Sequence, residues 1–84
     1  MTEQAIQKKI SDHYTKQGYL VVKLMKTNRN GMPDLMLLKD GTTKFIEVKK
    51  KGGIIAPLQK YRIEQLRKFG FDAVVCDGVE SVIF

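Results

Sequence analysis

Two apolar runs, Asp34 to Lys39 and Thr43 to Lys50, meet across Asp40-Gly41. Asp-Gly between such runs is the strongest short-range hairpin signal, because a two-residue type I′ turn needs positive φ at both central positions. The runs are apolar at both parities. Leu35, Leu37, Ile46 and Val48 share one face; Met36, Leu38 and Phe45 share the other. Strands of this kind are covered on both sides, so the rest of the 84-residue chain is expected to supply that cover.

The flanking segments can do so. Ile6, Ile10 and Tyr14 recur every four residues, which predicts a helix from Thr2 to Gln17. Thr2 is placed to cap its start and Gly18 to end it in a left-handed turn. Tyr19 to Met25 is predicted as a strand, and Lys26 to Pro33 as a loop carrying Asn28, Asn30, Gly31 and Pro33. Lys51-Gly52-Gly53 breaks the pattern after the hairpin. A second helix is expected from Pro57 to Phe69, stopped by Gly70, with Leu58, Tyr61, Leu66 and Phe69 as its buried face. Phe71 to Cys76 reads as a final buried strand, and residues 79–84 as either a helical turn or an edge strand. The order α-β-β-β-α-β predicts an α/β fold, a mixed central sheet flanked by helices. With no repeat, linker or low-complexity tract, residues 1–84 are expected to form a single domain.

Fifteen Lys+Arg against nine Asp+Glu give a formal net charge of +6. A basic excess suits a phosphate-bearing partner, although many basic domains have none. No apolar run approaches the roughly 18 residues of a membrane span, and charges at Lys8, Lys9 and Asp12 interrupt any leader-like stretch. Cys76 is the single cysteine, which excludes an internal disulfide framework and makes a reduced, cytoplasmic compartment the expectation. So small a chain buries only about 60% of its unfolded surface. Oligomerisation is one common way to add to that.

The chemistry-bearing residues follow from the hairpin. With a two-residue turn, residues whose numbers add to 81 lie opposite one another, which sets Asp34 against Glu47. Like charges so placed, with Cβ atoms about 5 Å apart, destabilise a sheet. A divalent cation would remove the penalty, and Mg²⁺ is typically held by one or two carboxylates. A four-residue loop shifts the register by two and keeps both acids on one face; a three-residue loop does not. Lys49, two residues after Glu47, shares that face. Metal plus lysine is a coherent set for phosphodiester hydrolysis, the metal activating water and the lysine orienting it or stabilising the transition state. The plainer alternative makes Asp34 a turn residue and Glu47 and Lys49 surface charges. It does not account for two opposed acids between apolar stretches.

Two further residues come from helical geometry. Glu3 falls on the Ile6, Ile10, Tyr14 stripe, pointing inward, or serves only as an acid favoured by the helix dipole. Gln59, beside Ile63 and Leu66, needs a partner for a half-buried amide; the site, a phosphate or a backbone carbonyl would each serve. Lys50 and Lys51 adjoin the proposed site, and with Lys23, Lys26 and Arg29 they could line a track for nucleic-acid phosphates. Lys60, Arg62, Arg67 and Lys68 are expected on a solvated helix face. His13 and Cys76 carry no functional signal, and no His/Cys set suits zinc.

Gly31-Met32-Pro33-Asp34, Phe45-Ile46-Glu47-Val48-Lys49 and Pro57-Leu58-Gln59 together resemble the PD-(D/E)xK nuclease superfamily, most closely its VRR-NUC (virus-type replication-repair nuclease) branch. The likeness covers nearly the whole chain and implies a restriction-endonuclease-like core. It implies that Asp34, Glu47 and the Val48 carbonyl hold Mg²⁺, with Mn²⁺ able to substitute, and that Lys49 assists the attacking water. It also implies that Gln59 belongs to the catalytic site and that Glu3 matches an acidic residue near the first helix start, a further candidate for the metal. Stand-alone members are similar to phage proteins and act as homodimers on branched DNA such as Holliday junctions. The expectation is therefore a Mg²⁺-dependent, structure-selective endodeoxyribonuclease of a bacterial or phage-infected cell. A nicking or flap nuclease, or a non-catalytic DNA-binding module of the same fold, are the alternatives. A basic protein-interaction domain would explain the charge but not the opposed acids. Ala56 departs from the family, where Ser commonly precedes the Pro.

Overall fold

A computed structural model describes residues 1–78. Its elements are α1 (Glu3–Lys16), β1 (Leu20–Lys23), β2 (Leu35–Lys39), β3 (Thr42–Val48), α2 (Pro57–Lys68) and β4 (Asp72–Cys76). The α-β-β-β-α-β order matches the sequence reading. The strands are shorter than expected, with Asp34 and Lys49 just outside β2 and β3. The expectation for residues 79–84 lies outside the described residues.

The four strands form one mixed sheet in the order β1-β2-β3-β4. Neighbours are antiparallel except β3 and β4, which run parallel with α2 as their crossover. Asp40 and Gly41 both take positive φ, 50° and 76°, as a type I′ turn demands. The pairs Leu35↔Ile46 and Lys39↔Thr42 fix the two-residue register. On one face α1 lays Ile6, Ile10 and Tyr14 over Leu35, Leu37, Ile46 and Val48. On the other, Ile63 and Leu66 of α2 pack on Phe45 and Ala73, with Met36 alongside.

Both helices end as their glycines predict. Tyr19 N–H reaches the Tyr14 carbonyl and Gly18 N–H that of Thr15; Phe71 and Gly70 repeat the pair on Leu66 and Arg67. These are Schellman closures, which satisfy the last orphan carbonyls of a helix. At the start of α1, Thr2 accepts from Ala5 N–H at 3.1 Å. At the start of α2 only half of a capping box exists, since Gln59 Oε1 accepts Ala56 N–H at 2.9 Å and alanine has no oxygen to return. Ala56 already has the extended geometry of an N-cap (φ −71°, ψ 150°). Ala56→Ser should therefore add about 1 kcal/mol. In a domain of this size that raises the thermal midpoint by about 4–8 °C, readable by thermal unfolding.

Two expectations for α2 are corrected. Its sheet-facing stripe is Gln59, Ile63 and Leu66, at helical spacing, whereas Leu58, Tyr61 and Phe69 are exposed. Leu58 instead packs against the loop around Gly31. Nor are Arg62 and Arg67 simply solvated. Each reaches back to a main-chain carbonyl, Arg62 to Asn30 and Arg67 to Ala73.

Candidate active site

β2 starts and β3 ends at the edge of the sheet remote from the turn, and antiparallel pairing brings β1 to a close there too. α1 starts at this end, as does α2, whose chain direction opposes β4. The site is built on this end. Asp34 is tied twice. Its carbonyl accepts Leu24 N–H at 2.8 Å, and its Oδ2 accepts Val48 N–H at 2.8 Å.

The register shows where the second bond sits. Extending the β2–β3 pairing sets Asp34 opposite Glu47 and Pro33 opposite Val48. Proline has no N–H to donate, so the Val48 carbonyl faces a residue with nothing to give it, while Val48 N–H donates to the Asp34 carboxylate. The Pro-Asp dipeptide thus marks the point where the β2–β3 ladder ends.

Glu47 is 2% exposed, the single buried charged residue among those described. Burial pushes its carboxyl up to about 8, helped by a hydrogen bond with Asp34 and by that residue's charge. Lys49 opposes the rise and Glu3 adds to it. Lys49 Nζ lies 3.8 Å from Glu47 Oε2, its side chain only 13% exposed. Glu47 therefore holds its proton near neutral pH, bonded to Asp34 and beside the sheltered Lys49 side chain. A divalent cation in place of that proton would relieve both repulsion and burial. Two carboxylates and a spare carbonyl, all hard oxygen donors, fit Mg²⁺ or Mn²⁺.

The other candidates sit around this trio in different ways. Glu3, half-buried at the start of α1, is near enough for its charge to be felt by Glu47. Among the described residues, however, no three His, Cys, Asp or Glu side chains converge on one point. Gln59 faces the sheet from α2, but its side-chain oxygen is engaged by Ala56 N–H. Lys23, Lys26, Arg29, Lys50 and Lys51 are all exposed and lie on segments at the site end of the sheet. Lys50 borders a groove of about 320 Å³ shared with Met1 to Gln4.

A family model of the VRR-NUC domain matches residues 1–80. The chain belongs to the VRR-NUC family. Two solved structures are similar to it. One, described as a VRR_NUC domain, superposes with TM-score 0.87 at 33% identity, covering 98% of this chain and 91% of the other. A second, a VRR_NUC domain protein, gives TM-score 0.80 at 29% identity, covering 99% and 83%. No curated protein matches. VRR-NUC domains are nucleases of the PD-(D/E)xK type, which act on DNA and generally use divalent metal ions. No helix among the described residues of this VRR-NUC chain is long and apolar enough to cross a membrane.

Proposed function

We propose that this VRR-NUC chain is a Mg²⁺-dependent, structure-selective endodeoxyribonuclease, with Mn²⁺ able to substitute, that acts as a homodimer on four-way junctions. The observation that carries the reading is the buried Glu47 carboxyl, hydrogen-bonded to half-buried Asp34, with Lys49 Nζ 3.8 Å from its Oε2. A buried acid is costly unless partners compensate it, and here they are a second carboxylate and a lysine.

In this reading Asp34, Glu47 and the Val48 carbonyl hold the cation, with Glu3 outside the first ring of ligands. When bound, the cation lowers the pKa of water in its shell and neutralises charge on the phosphate. Leu24 N–H holds the Asp34 main chain and Val48 N–H its carboxylate. Lys49, sheltered and charged, orients the attacking water and stabilises the negative charge that grows on the phosphate oxygens. Gln59 contributes at the N-terminal turn of α2, where its amide fixes the main chain facing the substrate. Lys23, Lys26, Arg29, Lys50 and Lys51 follow the phosphate backbone, so binding should weaken with salt. A dimer pairs two cuts across a junction that a chain of 9.6 kDa could not span alone. The same reading takes residues 1–84 as one nuclease domain working in the cytoplasm of a bacterial or phage-infected cell.

The test is a substrate panel of labelled four-way junction, flap, linear duplex and single strand, with Mg²⁺, with Mn²⁺ and with chelator. Metal-dependent cutting of the junction in preference to linear duplex is expected. Preference for flaps or nicks would move the substrate assignment. Metal-independent binding without cleavage of any substrate would leave a DNA-binding module instead.

A further inference from the structure

Residues 25–33 form the loop between β1, which ends at Lys23, and β2, which begins at Leu35. The base of this loop is closed by the Leu24 N–H bond to the Asp34 carbonyl, 2.8 Å. Its far side is held from α2. Arg62 donates from Nε and Nη2 to the one Asn30 carbonyl, at 3.2 and 3.1 Å. Its Nη1 donates to Gln65 Oε1 at 2.6 Å, which fixes the guanidinium on its own helix. Next along the loop, Gly31 (φ +82°) lies so close to α2 that a Cβ there would fall 2.8 Å from the Leu58 carbonyl oxygen and 2.9 Å from Leu58 Cγ. Inside the loop, Thr27 Oγ1 donates to the Arg29 carbonyl at 2.6 Å and accepts Arg29 N–H at 3.3 Å. Thus a loop with no regular secondary structure is tied at its base, in its middle and at its apex. It borders a cavity of about 280 Å³ lined in part by Lys26, Thr27, Arg29 and Asn30.

We propose that Arg62 is a positioning residue for DNA: it fastens loop 25–33 to α2, so that Lys26 and Arg29 meet the phosphate backbone as a fixed pair. The inference rests on the nuclease reading for what the loop meets, but not for what holds it. A cation on a free loop must be immobilised when DNA binds, at a cost of roughly two- to twelvefold in affinity for each such side chain. A loop already fastened has made that adjustment. The guanidinium is suited to the task because its planar fork sends two donors to one oxygen, which an ammonium cannot copy. Since Asp34 is held separately by Leu24 and Val48, releasing the apex should leave the catalytic trio in place.

The experiment compares Arg62→Ala, Arg62→Lys, Gly31→Ala and the charge-matched Lys60→Ala, all in the full chain. KM and kcat are measured on a cleaved junction, Kd on the same junction in chelator, and amide hydrogen exchange across residues 25–33. Arg62→Ala should raise KM and Kd by about fivefold or more, from two side chains losing their preorganisation, with kcat within about twofold. Arg62→Lys keeps the charge and should retain most of that defect. Gly31→Ala, which changes no charge, should reproduce it by levering the loop off α2. Both Arg62→Ala and Gly31→Ala should speed exchange in the loop and leave β2 and β3 protected. Lys60→Ala should change KM far less than Arg62→Ala. An equal loss in Lys60→Ala, or unchanged loop exchange in Arg62→Ala, overturns the proposal. So does a fall in kcat with KM and Kd unmoved. Wild-type protein that binds DNA but never cuts it removes the nuclease reading and leaves Kd and exchange to decide the clamp; one that binds no DNA overturns both.

Discussion

Glu47→Gln is expected to abolish cleavage while leaving the fold intact and more stable than wild type, by a margin that grows between about pH 4.5 and 8. The two outcomes share one cause. The Glu47 carboxyl is held up to about 8 by burial and by Asp34, so near neutrality it is mostly protonated in the metal-free protein. Glutamine mimics that neutral form, keeping a donor toward Asp34 and nearly the same volume. An acid whose folded pKa lies above its unfolded value stabilises the fold fully below the unfolded pKa and loses that contribution as pH rises to the folded one. For Glu47 the window runs from 4.5 to about 8. Within it wild type should fall relative to the variant by up to about 1.4 kcal/mol for each pH unit. Thermal midpoints of both proteins across this range, without metal, read the difference and cancel the other titrating groups. Cleavage should drop by about 10³-fold or more, because a neutral amide cannot take the place of an anionic ligand to the cation. Wild-type affinity for Mn²⁺ should climb with pH toward 8 as the Glu47 proton leaves, and calorimetric titration should show proton release. Parallel pH profiles for the two proteins would refute the raised Glu47 pKa. Undiminished cleavage by the variant would remove Glu47 from the site.

The second large effect concerns Lys49. Lys49→Met keeps the stem and removes the ammonium, and kcat should fall by about 10²–10³-fold, the loss typical of one transition-state donor. A side effect has to be separated from this. Lys49 is the one neighbour that lowers the Glu47 pKa, so its removal drives that carboxyl further up and weakens metal binding near neutrality. Raising the pH well above 8 and saturating with Mn²⁺ should restore loading but not turnover. If turnover recovers under those conditions, Lys49 acts only by tuning Glu47. If turnover is unaffected from the start, the residue has no part in the reaction.

Much of this arrangement could be read from the sequence because it rests on local rules. Asp40-Gly41 names its own turn type, and that turn fixes which residues oppose Asp34 and Leu35. Gly18 and Gly70 announce their helix ends because only glycine adopts a positive φ there without strain. The α2 face was misread for an equally physical reason. Leu58, Tyr61, Ile63, Leu66 and Phe69 are spread around most of the helix, so periodicity offers no single stripe, and the choice between them depends on where the sheet lies. Arg62 lies 32 residues from its partner Asn30. Nothing near it in the chain distinguishes it from Lys60 or Lys68. The parallel seat of β4 beside β3 likewise depends on how the crossover packs, which no short motif records.

The exposed turn at Asp40-Gly41 bears on anyone wishing to modify this chain. Because the hairpin is apolar on both faces, inside-outside alternation says little about how its strands should align. The turn supplies that information from roughly 17 Å away, five strand residues at about 3.3 Å each. It touches nothing at the site and looks like the natural place to graft a tag, an epitope or a fluorophore. An added residue there could slide one strand past the other and send Glu47 to the opposite face from Asp34. For protein engineering, this solvent-facing dipeptide should be handled as part of the active site.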